Sequence, residues 1–201
     1  MARFAAFHHA GFRRFALGQL ISSIGSWLQA FAITWLVLER TGRSDRLGVA
    51  VALQFLPLLV LGAPAGLLAD RVDNRRLLLA TSAAAGTVAL LFGLVVSSGS
   101  TDLLLLYGLT LLSGLVLAVE RPAMQALVFQ LVGRDDLPSA VAATSNIASV
   151  SRLVGPALGG AMVAATGVAS CFYANSLSYV AVAAALAGVR DLLPRPLDRR
   201  S

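Results

Sequence analysis

Six long apolar stretches, each almost free of charged residues, alternate with short polar gaps along the 201 residues. Crossing ~30 Å of hydrocarbon takes roughly 20 mostly apolar residues per helix, and each stretch reaches or approaches that length. The pattern therefore predicts an all-α integral membrane protein with six transmembrane helices, at about residues 15–38, 47–69, 77–96, 103–119, 140–165 and 169–189. Residues 1–189 would form one bundle, and residues 190–201, rich in Arg and Pro, a cytoplasmic tail or the start of a central linker.

Composition supports a protein that lives in lipid. The chain is 57% hydrophobic and 13% charged, whereas soluble domains average about 25% charged residues. A net charge of +6 would suggest nucleic acid or an acidic partner for a soluble protein. Here the positions of the basic residues explain the charge better, so the lipid bilayer is the expected partner and nucleic acid is not.

The 16 basic residues are all arginine and lie mainly on one side of the predicted bundle. That side carries Arg3, Arg13, Arg14, Arg71, Arg75, Arg76, Arg121, Arg134, Arg190, Arg195, Arg199 and Arg200. The gap between the first two spans carries only Arg40, Arg43 and Arg46. Because basic loops stay in the cytoplasm, both termini are expected there.

Small residues recur at every fourth position in three of the predicted helices: Gly18, Ser22 and Ser26 in the first, Gly62 and Gly66 in the second, and Gly155 and Gly159 in the fifth. This spacing places them on one helix face, where neighbouring backbones can approach closely. We therefore expect a tightly packed bundle.

Prolines occur in the second predicted helix, at Pro57 and Pro64, and in the fifth, at Pro156. Each removes a backbone donor, so these helices are expected to bend. Bent helices are common where a bundle rocks around a central site. Ordinary tolerance of proline in membrane helices is an equally open explanation.

The end of the second predicted helix and the seven-residue gap that follows it, residues 70–76, read Gly-Leu-Leu-Ala-Asp-Arg-Val-Asp-Asn-Arg-Arg over residues 66–76. So short a gap predicts antiparallel helices joined by a tight turn. The segment resembles the signature that the major facilitator superfamily carries at this place, with matches at Gly66, Asp70, Arg71, Arg75 and Arg76. Asp73 stands where the family has a turn glycine, and Asp tolerates turn conformations.

A carboxylate at the end of a helix is unfavourable unless cations flank it. We therefore expect Asp70 to form a charge cluster with Arg71, Arg75 and Arg76. The resemblance implies that this loop is part of a gate and that Asp70 pairs with Arg121, expected at the cytoplasmic end of the fourth helix, in the outward-facing state. The alternative is that these charges only anchor helix ends at the headgroups.

The fifth predicted helix contains a Gly-Pro-x-x-Gly-Gly motif, formed by Gly155, Pro156, Gly159 and Gly160 and preceded by Arg152. It resembles the fifth-helix motif of superfamily members that export their substrates, and the whole segment is similar to the siderophore (enterobactin) exporter branch. The resemblance implies efflux of a small drug-like or siderophore-like molecule by alternating access across a bacterial inner membrane. It also implies six helices arranged as 3+3 inverted repeats, half of a twelve-helix fold.

Arg152 lies about 20 Å along the fifth helix if that helix begins near residue 139. A guanidinium at this depth needs partners, and Gln29, Asn146 or backbone carbonyls are candidates. It could recognise an oxygen-rich substrate, stabilise one gating state, or serve as a structural hydrogen-bond hub. Trp27, Gln29, Gln54 and Asn146 could line a central cavity with Phe31 and Phe55, although ordinary packing explains such residues too.

The ten acidic residues are all expected in loops or at helix ends, with Glu39 and Glu120 the nearest to membrane depth. No proton carrier is therefore expected in the middle of the membrane. The stretch from Glu120 to Ser139 is read as a linker between two three-helix repeats, with residues 124–132 as a short helix on the membrane surface.

Six spans are half of a facilitator. The chain is therefore expected to be either an incomplete transporter that lacks its C-terminal half or a half-transporter that pairs with a second chain. A structural or assembly protein of the membrane is a further possibility. Because no Ser/His, Asp/Asp or His/Glu arrangement is found at membrane depth and Cys171 is the single cysteine, we expect no enzyme, metal site or cofactor.

Overall fold

The computed structural model describes residues 5–100 and 102–187, and within these ranges it contains helices and turns but no strand. A short 3-10 turn at Ala5–His8 precedes six helices: α1 Ala10–Thr41, α2 Ser44–Arg71, α3 Asn74–Ser97, α4 Leu103–Val132, α5 Leu137–Thr166 and α6 Ala169–Ala187. All six are long and apolar enough to cross a membrane. The predicted all-α, six-helix fold is confirmed. Arg3, the end of the sixth predicted span and the tail at 190–201 lie outside the described residues.

Short connections force consecutive helices to run in opposite directions. Gly42, at φ 61°, ends α1 by donating its backbone N–H to Leu38 O. Asp73 and Asp102 begin α3 and α4 by accepting backbone N–H groups of the first turn. The turns α2–α3 and α4–α5 therefore lie together with the start of α1, and we call this end of the bundle the arginine-rich end.

The prediction for α4 was wrong at its second half. The helix does not stop at residue 119 but continues through Glu120, Arg121 and Pro122 to Val132, so no separate surface helix exists and the connection to α5 covers only residues 133–136. Leu127 is fully buried and Val132 is 6% exposed. Because this segment packs in the bundle interior, the donor missing at Pro122 does not end the helix.

The main helix pairings show an internal symmetry. The principal contacts join α2 to α4, α1 to α5, α1 to α6, α3 to α4, and α3 to α6. Exchanging α1 with α4, α2 with α5 and α3 with α6 converts α2–α4 into α1–α5 and α1–α6 into α3–α4, and leaves α3–α6 unchanged. Such a pattern agrees with the predicted 3+3 inverted repeat.

Two apolar cores lie one above the other along the bundle. The core at the arginine-rich end contains Phe12 and Phe15 of α1 with Leu127 of α4 and Leu186 of α6. The other core contains the rings of Phe92 and Phe172, stacked with centroids 4.9 Å apart. Most buried polar side chains, among them Gln29, Thr81, Asn175 and Ser178, lie in the layer between these cores.

The glycine pairs divide into two kinds. A Cβ on Gly155 would lie 2.5 Å from Trp27 Cβ, and one on Gly159 would lie 2.7 Å from Phe31 Cδ1, so α5 and α1 pack closely as predicted. Gly62 and Gly66 have no such neighbour within 4 Å. The expectation that they bring helices of this bundle together was wrong, because their face of α2 points away from the other described helices.

Candidate functional site

A partly open cavity of about 110 Å³ lies between the helices at one face of the bundle, with room for several water molecules. Residues from five helices line it: Ser26, Trp27, Gln29 and Ala30 of α1, Gln54 and Phe55 of α2, Ala85 of α3, Ser113, Val116, Leu117, Glu120 and Arg121 of α4, and Asn175 and Tyr179 of α6. Trp27, Gln29, Gln54 and Phe55, proposed as cavity residues from the sequence, are thus brought together. Phe31 and Asn146, proposed with them, do not line the cavity: Phe31 packs against Gly159 of α5, and Asn146 is exposed on α5.

The cavity lies at mid-height of the bundle. Every lining residue falls within about five residues of the middle of its helix, or about 7 Å along the axis. In a membrane-spanning bundle this is the level of the bilayer centre, far from either aqueous surface. A polar cavity at that level is costly unless it binds water or a ligand.

Hydrogen bonds between α1 and α6 form one wall of the cavity. Asn175 Nδ2 donates to Gln29 Oε1 at 2.7 Å, and Ser26 Oγ lies 3.2 Å from Tyr179 Oη. A Cβ on Gly25 would lie 2.5 Å from Asn175 Oδ1, so only glycine allows this approach. On the opposite wall, Ser113 Oγ of α4 is buried and has no partner among the described residues, which leaves it available to a ligand.

Glu120 is the site residue that sequence reasoning misplaced. Since α4 runs to Val132, Glu120 lies two to three residues from the helix middle, and its partly buried side chain faces the cavity. The expectation that no carboxylate reaches mid-membrane depth was therefore wrong. The sequence signal that could have located it is the apolar stretch 123–132, which continues the helix beyond Pro122.

Arg152 lies near the middle of α5, but with a different partner than expected. It is exposed on the bundle surface, and its Cζ lies 5.1 Å from the centroid of the Trp27 ring, a cation–π contact. Neither Gln29, which bonds to Asn175, nor Asn146 contacts it through a hydrogen bond. Gly155 makes this arrangement possible because it lets α5 approach Trp27 closely. Pro156 is accommodated within the continuous helix, and Gly160 lies near Phe31.

The predicted charge cluster around Asp70 is not observed. Asp70 and Arg71 are exposed, and Asp70 has no ion-pair partner in the described part of the chain. Arg75 Nε instead donates to Leu186 O of α6 at 2.8 Å. Asp73, in place of the family glycine, accepts the backbone N–H of Arg76 at 3.1 Å, so its role here is that of a helix cap.

Arg121 is also displaced from its expected position. It lies in the middle of α4, 11 residues before Val132, or about 16 Å from the end of the helix. Asp70 is the penultimate residue of α2, at the arginine-rich end. The two side chains therefore differ in depth and form no ion pair in this structure.

The N-terminal segment is tied to the α4–α5 turn, which the sequence did not indicate. His9 Nε2 lies 2.8 Å from Asp136 Oδ2, and the backbone N–H of Ala6 donates to Ser139 Oγ at 3.2 Å. The two side chains are 127 positions apart along the chain, so no local sequence pattern indicates their contact.

Comparison with known proteins agrees with the geometry. A family model described as transmembrane secretion effector, from the major facilitator group, matches residues 1–197. The staphyloferrin A transporter of Staphylococcus aureus is 30% identical over 157 residues, which are 78% of this chain and 40% of the relative. The enterobactin exporter EntS of Salmonella choleraesuis is 32% identical over 168 residues, 80% of this chain and 39% of the relative.

A third relative, the macrolide efflux protein A of Streptococcus pyogenes, is 28% identical over 144 residues, 70% of this chain and 35% of the relative. The chain thus spans about 40% or less of the length of these curated relatives. No solved structure matches it.

Proposed function

This chain belongs to the transmembrane secretion effector family of the major facilitator superfamily, and from that premise we propose that it is the N-terminal six-helix half of a secondary transporter. The transporter exports a small organic molecule from a bacterial cell by alternating access. The arginine-rich end lies in the cytoplasm, as the distribution of arginines favours.

The observation that carries this proposal is the polar cavity at mid-height between two apolar cores. Facilitator-type carriers bind their substrates near the bilayer midplane and expose the site alternately to the two sides. The hydrogen-bonding groups of Gln54, Asn175, Tyr179 and Ser113 suit a ligand rich in oxygen or amide groups, and Trp27 and Phe55 suit a flat apolar one. This mixture fits the siderophores and macrolide named for the relatives.

The open faces of α2 and α5 support the assignment as a half. Leu59 of α2 is 82% exposed and Leu153 of α5 is 78% exposed, and Gly62 and Gly66 have no neighbour. A smooth glycine face suits close packing against another helix. We propose that a second six-helix unit covers these faces, supplied by the rest of a longer chain or by a second chain.

Ligand binding to the cavity can be tested with the two tryptophans of the chain. In a Trp35→Phe variant, purified in detergent, Trp27 is the only tryptophan and reports from the cavity wall. We expect a saturable change in its fluorescence with at least one of enterobactin, staphyloferrin A and a macrolide. Gln54→Leu should weaken that binding roughly tenfold, the equivalent of one lost hydrogen bond of about 1.4 kcal/mol.

The matched control is Gln125→Leu, which changes an exposed glutamine of α4 outside the cavity. It should leave the binding curve unchanged. A response that is equally strong in Gln54→Leu would place the ligand elsewhere and contradict the proposal. Native mass measurement of the same preparation tests the second unit: a uniform two-chain species supports a half-transporter that pairs with itself, and a single chain supports a missing C-terminal half.

A further inference from the structure

Glu120 is a carboxylate at mid-membrane depth that shares its cavity with one cation, Arg121. Among the described residues no hydrogen bond or ion pair joins it to a protein partner. Arg121 is its neighbour in sequence, but successive side chains on a helix diverge by about 100° and do not face each other. An ionised carboxylate in the cavity would therefore have no contact ion pair with Arg121 or with any other described residue, which is unfavourable at this depth.

The groups that face Glu120 are few. The side chains that α1, α2 and α3 contribute to the cavity are all uncharged, and α5 contributes none. The ionisable lining groups besides Glu120 are Arg121 on its own helix and Tyr179 on α6, whose hydroxyl is 3.2 Å from Ser26 Oγ. Arg152, the charged residue in the middle of α5, lies over Trp27. Of these groups, Glu120 is the only carboxyl, and a carboxyl can take up and release one proton.

We propose that Glu120 is the ion-coupling site of the transporter and that the ion is a proton. In one state of the cycle the carboxylate takes up a proton from water to become a neutral carboxyl. In the other state it returns the same proton to water on the opposite side of the membrane, and no other atom is exchanged. This coupling role rests on the proposed transport function, whereas the reversible protonation of Glu120 does not.

Infrared spectroscopy of the purified chain in lipid bilayers tests the protonation directly. A protonated carboxyl has a C=O stretching band that the ionised form lacks. The difference between wild type and Glu120→Gln should contain such a band, which appears as the pH falls from about 8.5 to 5.5, a range in which exposed carboxylates stay ionised. Glu39→Gln, which changes an exposed carboxylate in the last turn of α1, should retain the band.

Two further measurements distinguish the loss of a protonation site from a folding defect in the Glu120→Gln variant. Glu120→Asp keeps a carboxyl in the cavity and should show the band again at a shifted frequency. The emission of Trp27 in the Trp35→Phe background should change over the same pH range and lose that change in Glu120→Gln. The amide bands of the same spectra show whether the Glu120→Gln variant is folded. If it is folded and the difference spectrum contains no pH-dependent carboxyl band, the proposal is overturned.

The outcomes also separate this proposal from the proposed function. A titrating Glu120 band together with no ligand response at Trp27 would count against the cavity as a substrate site and leave the proton site standing. A ligand response at Trp27 without the band would refute the proton site alone.

Discussion

Gly155 is the position where the packing of α5 on α1 can be tested most sharply. In Gly155→Ala the new Cβ would lie 2.5 Å from Trp27 Cβ, 3.0 Å from Ile24 O and 3.1 Å from Leu28 N. Ordinary contact begins at about 3.4 Å, so the two helices must separate by roughly 1 Å. Trp27 Cβ and the α1 backbone cannot swing aside, which puts the overpacking penalty at the upper end of its usual range, about 3 kcal/mol.

Alanine also offers a gain, since it favours a helix over glycine by about 1 kcal/mol. The expected net loss is about 2 kcal/mol, or a melting temperature lower by roughly 4–8 °C for a chain of this size. Cys171, the single cysteine, is fully buried on α6. Its reaction with a maleimide dye during heating therefore reports the opening of the bundle.

Gly62→Ala is the matched control for this measurement. The substitution is the same and the helical context similar, but nothing lies within 4 Å of the new Cβ. Only the propensity gain remains, so the melting temperature should stay unchanged or rise by about 2–4 °C. Equal melting temperatures for the two variants would refute the close contact between α5 and α1.

Three further predictions concern the ends of the bundle. Asp73→Ala removes the cap of α3 and should lower the free energy of unfolding by about 1 kcal/mol. The control, Asp70→Ala, removes a nearby carboxylate that has no ion pair and should change that free energy by less than about 0.5 kcal/mol. The two variants are compared with the Cys171 labelling assay. A double-mutant cycle with His9→Ala and Asp136→Ala should give a coupling free energy of up to about 1 kcal/mol, because the pair is partly exposed. A coupling free energy of zero would mean that this pair does not hold the N-terminal segment to the α4–α5 turn. In a Cys171→Ser background, Arg43→Cys should react with an impermeant maleimide on intact cells and Arg134→Cys only after permeabilisation; the reverse pattern would invert the proposed orientation.

The number of helices and their short turns could be predicted because hydropathy and loop length determine both. The end of α4 could not be predicted in this way. Glu120, Arg121 and Pro122 are three successive residues that interrupt an apolar window, and such a run normally marks a helix end. Here the following residues, Ala123 and Leu127, are fully buried, so packing against other helices overrides the local signal.

The fourfold spacing of glycines also does not predict which helix they contact. Gly62 with Gly66 and Gly155 with Gly159 have the same fourfold spacing, yet only the second pair contacts a helix of this bundle. Spacing determines which residues share a face, whereas the neighbour of that face depends on the tertiary arrangement. For the same reason Arg152 was correctly placed in the middle of its helix but assigned the wrong partner.

The position of Arg152 bears on what covers the α5 face. A guanidinium in contact with hydrocarbon near the bilayer centre is disfavoured by roughly 2.5–3.5 kcal/mol on insertion scales. Its contact with the Trp27 ring offsets about 0.5–2 kcal/mol of this. A deficit of at least about 0.5 kcal/mol, and up to about 3 kcal/mol, therefore remains if lipid covers the α5 face. This free-energy deficit disappears if the α5 face meets polar groups of a second unit or a water-filled cleft. The charge of Arg152 therefore favours a six-helix unit that has a partner over one that stands alone in the bilayer.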